Sequence, residues 1–311
     1  MKILKKITLF LLILFINFTA NAQEELSLSK AINGALENNY DIQIVKLDEK
    51  ISEINNSWGA AGRYPTMGFD ISSNNQSNFN LNRDYTSTSG SLSLTLNWIL
   101  FDGFAINIKK QRLDYFSELS KGFTAVLVEN TIQSIIKAYY TAILEKEKLA
   151  VRKELMDLSK DRYDHALTQK EIGTAVTYEV LQAKNAWLED KSDFMLQQAI
   201  FKNSLRDLNY LMGITDDKKF VLTDKFDAQM EVYNIENLIN KMLKDNKTLK
   251  NQYVSQKLLE KDIALAKSNY YPTLSLRSGA AMSDGKTKYE DDEISKSKTK
   301  NLFANLTLSF S

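Results

Sequence analysis

The amino-acid sequence predicts an α+β membrane protein, built from a long antiparallel helical hairpin and two β-hairpins. Three observations lead to this prediction. The 311 residues include only two prolines, which suits very long helices, because proline removes a helical hydrogen bond and clashes with the preceding turn. Stretches of strictly alternating apolar residues predict strands with one apolar face. A long-period repeat places one pair of such strands in each copy.

The repeat is marked by the tripeptide Tyr-Pro-Thr, which contains both prolines, Pro65 and Pro272, 207 residues apart. The same offset pairs six further identical residues: Ile32 with Ile239, Asn33 with Asn240, Leu36 with Leu243, Asn39 with Asn246, Lys50 with Lys257 and Glu53 with Glu260. Coincidence between two helix ends is the simpler alternative, since proline often follows a helix. Nine identities at one offset favour a tandem duplication.

The first 22 residues have the features of a signal peptide. Lys2, Lys5 and Lys6 form a positive segment ahead of an apolar core, Ile7 to Ile16, which is too short to span a bilayer. Ala20-Asn21-Ala22 is a typical cleavage site. We therefore expect an exported protein.

The composition excludes several classes of function. The chain has no cysteine, so disulfides and thiolate chemistry are unavailable, and its net charge of +1 gives no basic footprint for nucleic acid. Phosphate-binding glycine loops, nucleophile elbows and metal-ligand clusters are missing from the sequence. His165 is the single histidine and is read as a helix-surface residue, and Asp291-Asp292-Glu293 as a solvated tip rather than a cation site. We expect no enzyme, no catalytic or metal residues and no cofactor.

Each repeat opens with a helical segment that contains a break. Residues 26–62 read as helical with a break at Asn38-Asn39, and residues 233–270 repeat this with a break at Asp245-Asn246. Asparagine tolerates turn conformations and competes with the helical backbone, which explains the break. Pro65 and Pro272 then end the helices and mark the change to strands.

The two β-hairpins are expected at about 66–99 and 273–310, with polar loops at 72–89 and 283–300. The candidate membrane-strand residues are Phe69, Ile71, Leu92, Leu94, Leu96, Trp98, Leu274, Leu276, Leu306, Leu308 and Phe310. Alternation alone fits tilted membrane strands and an ordinary amphipathic hairpin on a soluble sheet equally well. Trp98 and Tyr64 are either interface-belt aromatics or packing residues at a strand end.

Four strands cannot close a membrane barrel, since about eight are the minimum, and an open sheet edge in lipid leaves backbone groups unsatisfied. Strands that enter a membrane must therefore come from several chains, and three chains would supply roughly twelve.

The middle of the chain, about 103–212, predicts a long helical hairpin. One helix runs from Gly103 to about Gln169, Gly173-Thr174 forms the turn, and a second helix runs from about Thr177 to Met212. In the second helix a seven-residue period joins Val180, Trp187, Phe194, Phe201 and Leu208. This period predicts a left-handed coiled coil, and the partly polar complementary positions predict a narrow seam. A short strand is expected at 219–222.

Five sequence elements together resemble the TolC-type outer-membrane factor family. They are Leu28 to Asn39, the Tyr-Pro pairs at 64–65 and 271–272, Ile99 to Gly103, Gly173-Thr174 followed by Val180 to Ala183, and Leu208 to Gly213. Their order and spacing carry the resemblance, which covers the mature chain. Two departures are Ile99 in place of a proline and Phe104 in place of a glycine.

The resemblance implies a homotrimer whose strands share one β-barrel in the outer membrane of a Gram-negative bacterium, continued by a periplasmic helical tunnel. It implies a passive export duct of a tripartite efflux pump or type I secretion system, which contacts outer-membrane lipid. Energy would come from an inner-membrane pump. The hairpin tip, with Lys170, Gly173 and Thr174, would meet a periplasmic adaptor; Gly173 also reads plainly as a turn glycine.

The predicted division is a signal peptide at 1–22, a first repeat at 23–215 and a second at 216–311. The second repeat lacks a counterpart of the helical hairpin at 103–212, so we expect a C-terminally truncated member of the family. Two alternatives to a channel remain open. One is a non-channel periplasmic coiled coil or adaptor-like protein, and the other is a truncated, non-functional remnant of an efflux duct.

Overall fold

The computed structural model describes residues 24–79, 84–215, 218, 220–225, 233–291 and 293–310. The predicted signal peptide lies outside these residues. The elements are, in chain order, β1 (Glu24–Leu26), α1 (Leu28–Asn38), α2 (Tyr40–Asn55), β2 (Thr66–Asn78), β3 (Tyr85–Asp102), α3 (Ala105–Glu171), α4 (Thr177–Leu211), β4 (Phe220–Leu222), α5 (Ile235–Asp245), α6 (Lys247–Ser268), β5 (Thr273–Tyr289) and β6 (Ile294–Ser309). No helix in the described part of the chain is both long and apolar enough to cross a bilayer.

Helices α3 and α4 occupy the two segments for which the sequence predicts long helices. Helix α3 has 67 residues and α4 has 35. At 1.5 Å per residue, α3 would be about 100 Å long if straight. The absence of proline permits this length, and Gly122 is its one interior glycine.

The two sequence repeats share the break between their helices. Asn39 separates α1 from α2, and its side-chain oxygen accepts a hydrogen bond from the Ile42 amide at 3.1 Å. Asn246 separates α5 from α6 and accepts from the Leu249 amide at 2.8 Å. Each asparagine therefore caps the N-terminus of the second helix. The starts of α1 and α5, of α2 and α6, and of β2 and β5 are all 207 residues apart.

The chain forms two compact units, one drawing on residues up to Ile44 and on Ala125–Leu238, the other on Val45–Thr124 and on residues from Ile239 onward. In the first unit, β1 pairs in parallel with β4. The core of this unit contains Leu26, Ala31, Ala35, Ile135, Tyr139, Ala142, Ile143, Leu208, Met212, Phe220 and Leu222.

Tyr139 is the largest fully buried side chain of this core. Its hydroxyl donates to the Leu26 carbonyl at 2.8 Å and accepts from the Asp224 amide at 3.4 Å. The Asp224 carboxylate in turn accepts from the Leu28 amide, at the start of α1, at 2.7 Å. Burial raises the pKa of Tyr139, so the phenol is held in its neutral form.

The second unit contains a four-stranded antiparallel sheet in the order β2-β3-β5-β6. Strands β3 and β5 lie in the centre, and β2 and β6 form the edges. The register places Leu94 opposite both Phe69 and Ala280, and Ala280 opposite Leu302. A β-bulge at Leu100 shifts the pairing of β3 with β5 by one residue.

The predicted polar loops at 72–89 and 283–300 are wrong in extent. Strand β2 continues to Asn78 and β3 starts at Tyr85, while β5 continues to Tyr289 and β6 starts at Ile294. The ladder is made by backbone hydrogen bonds, so polar side chains on both faces do not end it. Cross-strand hydroxyl pairs, such as Ser72 with Ser91 at 2.7 Å, support the polar part.

Candidate membrane-facing sheet and helical hairpin

One face of the four-stranded sheet carries a band of apolar side chains. Directly opposed residues in a sheet share a face, so the register shows which side chains belong to the band. This apolar band consists of Met67, Phe69, Ile71, Leu92, Leu94, Leu96, Trp98, Leu274, Leu276, Ala280, Met282, Leu302, Ala304, Leu306 and Leu308, with Ser278 as its one polar member. On β5 it runs from Leu274 to Met282. Eight steps of about 3.4 Å give about 27 Å along the strand, or about 20 Å in height at a tilt of about 40°.

The side chains of the apolar band are largely exposed to solvent in the single chain. Ile71 is 74% exposed and Leu302 is 88% exposed. Every candidate membrane-strand residue of the sequence lies in this band except Phe310, which follows β6 and is also exposed. A contiguous apolar surface of this kind marks contact with lipid or with another protein.

The opposite face is polar over the same rows. It carries Gly68, Asp70, Ser93, Thr95, Asn97, Ser275, Arg277, Asn305 and Thr307. Its apolar members are Ile99, Ala281 and Phe303. Phe303 is the largest of them, and sequence reasoning missed it because it occupies the polar phase of an alternating strand. Its ring packs over Gly279, where a Cβ atom would overlap the Leu94 carbonyl.

Aromatic side chains gather at the end of the sheet where the helices join. The Trp98 indole nitrogen donates to the Arg63 carbonyl at 3.1 Å. The Phe104 ring contacts Phe101 and Tyr271 edge to face, with centroids 5.4 and 6.4 Å apart. Tyr64 is also exposed there. This arrangement suits an interface belt.

Phe104, which replaces a glycine of the family's sequence element, has a backbone conformation that is typical of glycine. Phe104 has a φ angle of 69° and follows Gly103 at 64°, so two consecutive residues adopt the left-handed conformation that favours glycine. Position 103 also has no room for a side chain, because a Cβ atom there would overlap the Ser268 carbonyl.

The turn of the helical hairpin is closed by backbone hydrogen bonds. Gly173 has a φ angle of 82° and its amide donates to the Lys170 carbonyl at 3.0 Å. The Thr174 amide and hydroxyl both donate to the Gln169 carbonyl, at 2.8 and 2.9 Å. This is C-cap geometry, which accounts for Gly173 on its own.

The surface around this turn is apolar and exposed. Lys170, Gly173 and Thr174 are all exposed, and so are Ile172, Val176, Tyr178 and Leu181, by 53 to 72%. A docking role for the tip therefore stays a prediction that the exposed apolar surface supports.

The seam between α3 and α4 follows the seven-residue period. Val180 and Leu208 are buried, and the intervening heptad positions are half-buried. The complementary positions 183, 190, 197, 204 and 211 are also buried or half-buried. The Tyr163 and Trp187 rings stack at 5.7 Å.

One buried polar contact lies within this seam. The Gln197 side-chain amide donates to a Glu145 carboxylate oxygen at 2.6 Å, and Lys148 Nζ lies 2.8 Å from the other oxygen. Hydrogen bonds from Lys148 and then Gln197 hold the pKa of Glu145 below its usual range.

Ionisable side chains elsewhere form no candidate metal centre within the described ranges. His165 is exposed on α3. Asp291 and Glu293 lie in the turn between β5 and β6, and Asp292 between them lies outside the described residues.

No family model and no curated protein matches the chain by sequence. Solved structures do match it. The chain is similar to the CmeC outer-membrane channel of Campylobacter jejuni, with a TM-score of 0.66 and 15% identity over 91% of this chain and 61% of that one. It is similar to CusC, whose structures describe transmembrane channel formation, with a TM-score of 0.64 and 14% identity over 95% and 69%. For the MtrE outer-membrane channel of Neisseria gonorrhoeae the TM-score is 0.59, with 16% identity over 91% and 63%.

The chain has the fold of the TolC-type outer-membrane channels. The resemblance that the sequence elements predict is therefore confirmed at the level of the fold. The chain spans about two thirds of the length of these channels, from 61% to 69%.

Proposed function

We propose that the chain is the outer-membrane channel component of a tripartite efflux pump or a type I secretion system, acting as a passive export duct. The observation that carries the proposal is the four-stranded sheet, which is apolar and exposed on one face and polar on the other. A membrane barrel needs this division, because one face meets lipid and the other lines a water-filled lumen. The TolC-type fold of the chain supports the same role.

The open edges of the sheet argue for a homo-oligomer. Among the described residues, strands β2 and β6 each leave one row of backbone groups unpaired, and such groups cannot stay unpaired in hydrocarbon. Pairing β6 of one chain with β2 of the next would satisfy both edges. A trimer would close a barrel of roughly twelve strands, which lies within the range of outer-membrane barrels.

The proposed location is the outer membrane of a Gram-negative bacterium, with the helices in the periplasm. The exposed apolar residues around Gly173 would meet a periplasmic adaptor. The duct performs no catalysis, so energy comes from an inner-membrane pump, and pore width and lining charge set selectivity.

The alternative of a non-channel periplasmic coiled coil leaves the apolar band in water. Phe69 and Leu302 would then remain mostly exposed, which carries the aggregation hazard of an open apolar sheet. A non-functional remnant would have the same fold and would lack conductance, so a conductance measurement distinguishes it from a working channel.

The test compares Leu94→Arg with Thr95→Arg in the full chain. The two residues are adjacent on β3, so both variants add the same charge at the same depth, on opposite faces. An arginine on the lipid face of a barrel costs about 2–4 kcal/mol near the midplane, and a lumen substitution tunes selectivity instead. We expect Leu94→Arg to reduce heat-resistant oligomers in detergent-extracted outer membranes by more than tenfold.

Thr95→Arg should retain the oligomers and shift the selectivity of single channels in planar bilayers toward anions. A wild-type chain recovered as a soluble periplasmic monomer would refute the proposal. Equal effects of the two variants would also refute it, because the two faces would then share one environment. Oligomers without conductance would identify the remnant.

A further inference from the structure

Four lysines continue the apolar face of the sheet beyond the apolar band, toward the hairpin turns. They are Lys286 of β5 and Lys296, Lys298 and Lys300 of β6, and we call them the basic belt. The register fixes their face, because Lys300 lies opposite Met282 of the band and Lys296 lies opposite Lys286. All four side chains are exposed.

The charge of the basic belt is poorly compensated on its own face. On β2 and β3 the same rows carry only uncharged residues, which are Ile71, Ser73, Asn75, Thr88, Gly90 and Leu92. Asp284 is the one acidic strand residue in these rows among those described, and its carboxylate lies 3.8 Å from Lys298 Nζ. Lys286 and Lys296 are directly opposed like charges, which destabilises a strand pair unless an anion lies between them.

Carboxylates of the following turn reach only one end of the belt. Glu293 is three residues from Lys296 and seven from Lys300, distances of about 10 and 23 Å along a strand. Screening at physiological salt has a length of about 8 Å, so Lys300 is beyond their influence. Lys288, next along β5, has an interaction of its own and is left out of the belt.

The opposite face of the same strand segments is uncharged. It carries Ser283, Gly285, Thr287, Ser295, Ser297, Thr299 and Asn301. If the lysines served to select solutes in a lumen, they would lie on this face. Their position on the apolar face directs them to the surroundings of the proposed barrel instead.

We infer that the basic belt binds phosphate-bearing headgroups of anionic lipids at the surface of the bilayer. The inference rests on the proposed function, which places the apolar band in hydrocarbon. The band ends at the row of Met282 and Lys300, so the belt lies at headgroup level. Lysine stems can lie along apolar surface while the ammonium groups reach phosphate oxygens, with which they form charge-assisted hydrogen bonds.

The test uses the purified full chain in neutral detergent micelles. Phosphatidylglycerol or phosphatidylcholine with a fluorescent tail is titrated in, and the ratio of the two dissociation constants is measured. Each lysine near an anionic lipid surface contributes about fivefold. Counting three lysines as uncompensated, replacing all four with glutamine should lower the preference for phosphatidylglycerol by about 100-fold at low salt. The wild-type preference should weaken as salt increases.

The control replaces Lys241, Lys244, Lys247 and Lys250, which are exposed on α5 and α6, with glutamine. It makes the same change in net charge and should leave the preference intact. If the belt variant does not fold, as judged by circular dichroism, Lys286→Gln with Lys296→Gln replaces it, with a loss of at least tenfold expected. An equal loss in the control overturns the inference, because net charge alone would explain it.

Free phosphate is the other source of the same chemistry. Competition by inorganic phosphate, but not by chloride at equal ionic strength, would overturn the lipid assignment in favour of a free-anion site. Flotation with phosphatidylcholine vesicles separates the two proposals. A wild-type chain that does not float refutes the membrane placement, whereas one that floats without preferring phosphatidylglycerol overturns only the basic belt.

Discussion

The Tyr139 hydroxyl should contribute measurably to the stability of the first unit. Tyr139→Phe removes its hydrogen bonds to the Leu26 carbonyl, at 2.8 Å, and from the Asp224 amide, at 3.4 Å. The Leu26 carbonyl also accepts from the Thr223 amide at 3.2 Å, so it keeps a partner. One good and one long hydrogen bond suggest a loss of about 1–2 kcal/mol in the free energy of unfolding.

The measurement is guanidinium unfolding of the detergent-solubilised chain, followed by far-UV circular dichroism. Tyr178→Phe is the matched control, because Tyr178 is 72% exposed and should change stability by less than about 0.5 kcal/mol. If the two variants lose the same amount, the buried hydroxyl does not support the core and the reasoning is refuted.

The same residue gives a test at alkaline pH. Burial raises the pKa of Tyr139 above its unfolded value. The folded state therefore holds the phenolic proton more tightly, and the resulting stability is fully present below the unfolded pKa of about 10. It is lost as the pH rises through the folded pKa. Tyr139→Phe should remove this alkaline loss, whereas Tyr178→Phe should retain it.

Three further predictions concern the helices and their junctions. The lowered pKa of Glu145 gives stability that is present above its unfolded pKa and is lost as the pH falls through its folded pKa. Glu145→Gln should therefore abolish this loss of stability in acid. Unfolding midpoints measured between about pH 3 and 6 check this. Gly122→Ala should destabilise the wild type by about 1–3 kcal/mol, because the added Cβ overlaps the Asn251 side chain. In an Asn251→Ala background the same change should stabilise the fold by up to about 1 kcal/mol, because alanine favours a helix more than glycine does. A double-mutant cycle in which the effect of Gly122→Ala on the free energy of unfolding keeps the same sign would contradict this. Phe104→Gly should be about 1 kcal/mol more stable than Phe104→Ala in thermal or denaturant unfolding, because alanine keeps the left-handed backbone without the ring contacts.

Local patterns in the sequence predict most of the fold. The scarcity of proline and the heptads through Trp187 indicate the long helices, and the asparagine at 39 and 246 marks the same cap in both repeats. The full length of the strands could not be predicted, because the apolar alternation ends before the strands do and the polar residues continue the ladder through backbone hydrogen bonds. Phe303 and the basic belt became visible only with the register, since their face depends on how the strands pair.

The bulge at Leu100 reconciles two incompatible periodicities. It lets Trp98 and Phe101, three residues apart, share one face of the sheet, since they pair with Leu276 and Leu274. If β3 alternated regularly through Leu100, Asp102 would lie on the apolar face with Trp98. With the bulge, Asp102 lies on the other face, and its carboxylate accepts a hydrogen bond from the Ile106 amide at the start of α3 at 3.2 Å. The one-residue bulge therefore sets which side chains face the sheet and which face the helix start, where a strand with a two-residue period joins a helix with a period of 3.6 residues.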